Sequence, residues 1–97
     1  MPFIGHVILV IEPQQGRFAI DLQKAIKREG GESIVVSEPA AALLQCKAFE
    51  FTAALVNDRH RGIISKLSIP STLYRSGDSY RTAIKRLEEL IGTTRLQ

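Results

Sequence analysis

The chain has 97 residues, of which 44% are hydrophobic and 24% charged, with 13 basic and 10 acidic side chains and a formal net charge of +3. These values predict one soluble globular domain, with its core between about residues 6 and 92, and argue against intrinsic disorder. The mild basic excess is compatible with an acidic partner or nucleic acid but requires neither, because acidic residues are interspersed among the basic ones.

The single cysteine, Cys46, excludes an internal disulfide and a multi-cysteine metal site, and it is typical of a reducing compartment. No apolar run approaches the roughly 20 residues that a membrane-spanning helix needs. The N-terminal run from Val7 to Ile11 is short and has no Lys or Arg before it, unlike a signal peptide. We therefore expect a cytoplasmic protein without membrane association.

The first elements in chain order are a buried strand and an amphipathic helix. Val7 to Ile11 are all β-branched residues or leucine, which predicts a central strand covered on both faces. Apolar residues then recur at steps of three or four from Phe18 to Ile26, which predicts a helix. The pair Gly30-Gly31 is expected to end this helix through a left-handed cap.

A second strand is predicted from Ser33 to Val36, and a second helix from Pro39 to about Ala48, capped by Ser37 or Glu38. Leu43 and Leu44 are expected to face inward from this helix.

The third strand, Thr52 to Val56, is almost wholly apolar, and a polar break from Asn57 to Gly62 follows it. Ile63, Ile64 and Leu67 fit either a short third helix of about two turns or a packed loop.

A fourth strand is predicted from Ile69 to Tyr74, with Pro70 near its beginning, followed by a turn from Arg75 to Asp78. Asp78 or Ser79 is expected to cap the final helix, which Gly92 should end, leaving residues 93–97 as a frayed tail. The apolar stripe predicted for this helix consists of Tyr80, Ala83, Ile84, Leu87, Leu90 and Ile91.

Alternating strands and helices with right-handed crossovers predict a three-layer α/β fold of flavodoxin-like type. We expect a parallel sheet of about four strands in the order 2-1-3-4, with helices on both faces. The second and fourth strands would be sheet edges, and a wide apolar stripe on so small a domain needs a surface to bury it. These features predict a homo-oligomer formed through the fourth strand or the last helix.

Polar residues follow the predicted strands at their carboxyl ends, where open α/β sheets bind ligands. Glu12 follows the first strand, Asn57 and Asp58 the third, and Arg75 and Ser76 the fourth. The simplest interpretation of Asn57-Asp58 is a turn stabilised by side-chain to backbone hydrogen bonds. Arg59-His60-Arg61 is either a solvated loop or a contact for an anion or a partner, with Arg59 and Arg61 as the candidate residues.

Three segments together resemble a response-regulator receiver domain of two-component signalling, over about His6 to Gly92. They are HVILVIEP with the helix that ends in Gly-Gly, then FEFTAALVND, and then IPSTLYRSGD. The resemblance implies metal-assisted phosphoryl transfer to an aspartate at the end of the third strand. It further implies an acidic pair after the first strand that holds Mg²⁺, a Thr or Ser after the fourth strand and a Lys after the fifth.

The sequence departs from this pattern at most of those positions. Glu12 stands where the acidic pair begins, but Pro13 and Gln14 follow it. Asn57 occupies the phosphoacceptor position, and Asp58 would leave the strand in another direction. The hydroxyl position falls on Arg75 or Ser76, and the fifth strand with its lysine is missing. We therefore expect no Mg²⁺ and no other cofactor, and an edge occupied by arginine-carboxylate pairs or by an anion.

Three functions remain open. The first is a shortened, degenerate receiver-like domain, not an enzyme, that signals through contact with a protein partner, without phosphorylation. The second is a working receiver that is phosphorylated on Asp58, with Mg²⁺ bound by Glu12 and Asp58. The third is a small basic nucleic-acid-binding α/β domain, which the scarcity of exposed aromatic residues and the interspersed acids disfavour.

Overall fold

A computed structural model describes residues 2–95 of the chain. Its elements in chain order are β1 (Val7–Ile11), α1 (Arg17–Arg28), β2 (Glu32–Val36), α2 (Pro39–Ala48), β3 (Ala53–Asn57), a 3₁₀ segment (Asp58–Lys66), β4 (Ser71–Tyr74) and α3 (Tyr80–Arg95). None of the helices in this range is long and apolar enough to cross a membrane.

The four strands form one sheet in the order β2-β1-β3-β4, and every neighbouring pair is parallel. Ile11 is aligned with Val36 on one side and Val56 on the other, and Asn57 at the end of β3 is aligned with Tyr74. The predicted fold class and strand order are therefore confirmed. Residues 2–95 contain no fifth strand beyond β4.

The sheet separates two apolar clusters, so the molecule has three layers. Because side chains alternate along a strand, Ile8 and Val10 face the cluster under α1 and α3, while Leu9 and Ile11 face the cluster under α2 and the 3₁₀ segment. All four side chains are fully buried. Helix α3 thus lies on the same face as α1, a point that the sequence left open.

The Gly30-Gly31 pair ends α1 as predicted. The Gly31 N–H donates to the Ile26 carbonyl and the Gly30 N–H to the Lys27 carbonyl, both at 3.0 Å, and Gly30 has φ +90°. This is the double hydrogen bond of a Schellman cap, which requires the left-handed conformation that glycine adopts without steric cost.

The structure corrects several details of α2. Leu44 is 65% exposed, whereas Ala42 is fully buried and Leu43 is half-buried. The helix therefore presents a narrower apolar stripe to the sheet than its composition indicates. Neither Ser37 nor Glu38 caps it through a side-chain hydrogen bond, and Pro39 begins the helix directly.

Helix α3 begins as predicted but continues further. The Ser79 hydroxyl accepts from the Thr82 N–H at 3.2 Å, so Ser79 is the cap. The helix passes through Gly92 to Arg95, which contradicts both the stop at Gly92 and the frayed tail for residues 93–95. Ile91, directly before Gly92, is 4% exposed and belongs to the apolar cluster under α1 and α3. Residues 96 and 97 of the predicted tail lie outside the described part of the chain.

Other boundaries differ by one or two residues. Strand β2 begins at Glu32 instead of Ser33, β3 is shifted one residue later than predicted, and β4 begins at Ser71, after Pro70. The segment after β3 is helical, which agrees with one of the two predicted alternatives, but it begins earlier and is not an α-helix. It is 3₁₀ helix from Asp58 to Lys66, kinked at His60, and it anchors itself to the sheet through the buried Ile63.

Candidate functional site at the carboxyl edge of the sheet

A cleft of about 280 Å³ opens at the edge of the sheet where β1 and β4 end, as expected for this fold. Its walls come from the loop after β1, the start of α1, the first residues after β3, and the turn between β4 and α3. The residues that line it are Glu12, Pro13, Gln14, Phe18, Arg59, Tyr74, Arg75, Ser76, Gly77 and Asp78.

Glu12 lies at the bottom of the cleft, directly after β1, and is only 6% exposed. One oxygen, Oε1, accepts from the Tyr74 hydroxyl at 2.6 Å and from the Asn57 amide at 3.3 Å. The other, Oε2, accepts from the Gln14 backbone N–H at 2.7 Å. A buried carboxylate is costly unless hydrogen bonds replace its hydration. Here three uncharged donors supply them.

Asn57, the last residue of β3, links the end of its own strand to the residues that follow β1 and β4. It is 1% exposed, and its Nδ2 donates to Glu12 and, at 3.2 Å, to the Ser76 hydroxyl. Its Oδ1 accepts from the Arg59 backbone N–H at 2.9 Å and so caps the 3₁₀ segment. This last bond is the turn geometry predicted for Asn57-Asp58. Both donor hydrogens and the acceptor of the amide are therefore used inside the protein.

Tyr74, the last residue of β4, completes the network, and the sequence analysis assigned it no such role. Its ring stacks on Phe18 with centroids 5.3 Å apart, and its hydroxyl also lies 3.2 Å from the Ile11 carbonyl oxygen. Burial, and then the hydrogen bond to the Glu12 carboxylate and its negative charge, raise the pKa of the Tyr74 phenol far above its ordinary value. The phenol therefore stays neutral and keeps its proton as a donor.

Arg59 and Arg75 line the cleft and are exposed. Within residues 2–95, neither guanidinium lies within 4.0 Å of a carboxylate. Asp78 accepts from the Arg75 backbone N–H at 2.9 Å, and its carboxylate is 3.8 Å from the Arg86 guanidinium. Of the two alternatives expected for this edge, pairing of Arg59 or Arg75 with Glu12 or Asp58 is not found within residues 2–95, and the bound anion stays a prediction.

The structure brings most of the predicted site residues together but leaves two outside. Glu12, Asn57 and Ser76 join through hydrogen bonds, and Arg59 and Arg75 lie on the walls. Asp58 is half-buried at the start of the 3₁₀ segment, and Arg61 is exposed three residues further on; neither lines the cleft. The sequence feature that could have indicated the role of Tyr74 is its position at the end of a predicted strand. This position is at the same edge of the sheet as Glu12, whose carboxylate needs hydrogen-bond donors if it is buried.

The donor set does not fit the Mg²⁺ site of a receiver domain. A hard divalent cation requires several oxygen ligands whose charge balances its own. In the described chain, no group of three or more His, Cys, Asp or Glu side chains lies close enough to hold a metal ion. Moreover, both oxygens of Glu12 already accept hydrogen bonds from the protein.

Comparison of the chain with protein-family models, with curated protein sequences and with solved structures found no significant match.

Proposed function

We propose that the chain is a receiver-like signalling domain that acts by binding a protein partner at the carboxyl edge of its sheet, without transferring a phosphoryl group. The observation that carries this proposal is the burial and hydrogen bonding of Asn57. It stands at the receiver phosphoacceptor position, is 1% exposed, and has its side-chain amide bonded to Glu12, Ser76 and the Arg59 N–H.

The relative placement of three residues supports the receiver part of the proposal. In that family, an acidic residue after the first strand, the acceptor at the end of the third and a hydroxyl after the fourth converge on one point. Glu12, Asn57 and Ser76 converge in the same way, with the Asn57 amide bonded to both of the others. The three positions therefore agree with the receiver arrangement, while the side chains at them form an internal hydrogen-bond network instead of a cation site.

Two further observations support the absence of phosphoryl transfer. An amide does not attack phosphorus as a carboxylate does, and the nearest carboxylate in sequence, Asp58, is not a lining residue of the cleft. The Glu12 oxygens are engaged by Tyr74, Asn57 and Gln14. These three hydrogen bonds occupy most of the lone-pair sites through which the carboxylate could bind a cation.

Incubation with acetyl phosphate and Mg²⁺, followed by intact mass spectrometry, tests this proposal. We expect the unmodified mass for the wild-type chain and for Asp58→Asn alike. Addition of one phosphoryl group that is lost in Asp58→Asn and kept in the matched Asp21→Asn variant would establish the working-receiver alternative instead. Asp21 is a suitable control because it lies on α1 and pairs with Arg17.

Self-association in the cytoplasm is the second part of the proposal. Of the two contacts expected for it, the fourth strand and the last helix, the burial of the last helix favours the fourth strand. The apolar stripe of α3 is buried within the molecule, with Leu87 0% and Ile91 4% exposed, so the last helix needs no partner to cover that face. The outer edge of β4 is unpaired by any strand of residues 2–95. We therefore favour β4 as the contact, since an open edge can pair with a second copy. Light scattering that gives the monomer mass at high concentration would remove this part.

A further inference from the structure

The cleft has positively charged side chains on its walls and the buried carboxylate of Glu12 at its floor. Arg59 and Arg75 carry two positive charges, neither of them paired with a carboxylate inside the described chain. Glu12 carries one negative charge below them, and Asp78 is matched by Arg86 at 3.8 Å. The arginines therefore exceed the local acidic charge by one.

This charge distribution favours an anion with a single negative charge. A phosphoryl group carries about −1.5 to −2 at neutral pH, which exceeds the surplus positive charge and would be repelled by Glu12. A carboxylate carries one charge and accepts two parallel hydrogen bonds from a guanidinium. The anion would lie at the mouth of the cleft, between the two arginines, and not on the floor beside Glu12.

The size of the cleft limits the occupant further. Its volume of about 280 Å³ lies just below the ~300–1,000 Å³ that is usual for small-molecule sites, so a single side chain fits better than a cofactor. Pro13 and the Phe18 ring provide apolar surface on its walls. This surface suits the methylene groups of a glutamate whose carboxylate reaches the arginines.

We infer that the cleft receives the carboxylate of a glutamate or aspartate from an acidic segment of a partner protein, bound by Arg59 and Arg75. This inference rests on the proposed function and specifies the chemistry of its partner. The polar network beneath has a positioning role: Asn57 fixes the start of the segment that carries Arg59, and its bond to Ser76 fixes the turn that carries Arg75.

The test is a titration of the ¹⁵N-labelled full chain with an acetylated and amidated hexaglutamate peptide, followed by amide chemical shifts. We expect the shifts to centre on Gln14, Arg59 and Gly77. Arg59→Gln and Arg75→Gln should each weaken binding roughly tenfold, as the loss of a charge-assisted hydrogen bond predicts. Arg81→Gln, a matched exposed arginine on α3, should leave the affinity unchanged. Thermal unfolding of each variant verifies that it is folded.

Three results would overturn the inference. One is a shift pattern centred on the groove between α1 and α3, which Arg28, Arg81 and Lys85 line. Another is unchanged affinity in both cleft variants. The third is inorganic phosphate that binds at the same residues more tightly than the peptide. None of these results tests the absence of phosphoryl transfer, which fails separately if Asp58 is phosphorylated by acetyl phosphate.

Discussion

The hydrogen bond between Tyr74 and Glu12 is expected to stabilise the carboxyl edge of the sheet, and Tyr74→Phe isolates it. The substitution removes a hydroxyl 2.6 Å from a buried carboxylate oxygen and keeps the ring that stacks on Phe18. Hydrogen bonds to charged groups contribute about 1.5–3 kcal/mol. Because Glu12 retains its bonds from Asn57 and Gln14, we expect a loss of about 2 kcal/mol in the free energy of unfolding.

Urea denaturation followed by circular dichroism measures this loss, provided that the dependence on urea concentration is the same for both proteins. For a domain of this size the melting temperature should fall by roughly 10 °C. Tyr80→Phe is the matched control: that residue lies half-buried at the start of α3, and its substitution should change stability by less than about 0.5 kcal/mol. A Tyr74→Phe variant as stable as the control would refute the role assigned to this hydrogen bond.

Alkaline pH provides an independent check on the same residue. The Tyr74 phenol has a pKa raised above its ordinary value of 10.0, so the native state keeps a proton that the unfolded chain loses. Stability from this group is therefore fully present below pH 10 and falls as the pH rises, by about 1.4 kcal/mol per pH unit. The stability difference between wild type and Tyr74→Phe should shrink above pH 10. A difference that stays constant from pH 9 to about 11 would contradict the raised pKa.

Three further predictions concern other parts of the molecule. Asn57→Asp places a second carboxylate against Glu12 in a buried site and should cost about 3 kcal/mol at pH 7, measured by urea denaturation; Mg²⁺ should restore part of this loss and leave the wild type unchanged. Gly30→Ala, at φ +90° with a new Cβ 2.5 Å from the Ile4 side chain, should lower stability by about 1–2 kcal/mol. Gly62→Ala, whose Cβ would meet nothing within 4 Å, should not lower the stability. Equal stabilities of the Gly30→Ala and Gly62→Ala variants would contradict the left-handed cap at Gly30. Arg86 donates to the Leu73 carbonyl on the outer edge of β4 at 3.0 Å, and Arg86→Gln removes this bond. If β4 is the contact between copies, the variant should associate more strongly in light scattering. An unchanged mass would argue against that edge.

The cleft shows where local sequence patterns stop being informative. A polar residue after each buried strand identified Glu12, Asn57 and Ser76, because parallel strands bring their carboxyl ends to one edge. The patterns could not show that Tyr74 reaches across β3 to Glu12, since that contact joins residues 62 positions apart. Nor could they show that Asp58, next to Asn57, is the first residue of the 3₁₀ segment and does not line the cleft.

The sequence by itself determined the order of the elements and the parallel sheet, because each strand and helix has its own apolar period and the crossover rule then allows few arrangements. Only the tertiary structure decided which face α3 covers, that α3 continues past Gly92, and that Leu44 stays exposed, since these depend on packing against distant residues. It also decided that Glu12 is satisfied by neutral donors, while Arg59 and Arg75 lie within 4.0 Å of no carboxylate of residues 2–95. The reason is geometric: the donors that bond to Glu12 at 2.6, 2.7 and 3.3 Å belong to β4, to the loop after β1 and to the end of β3.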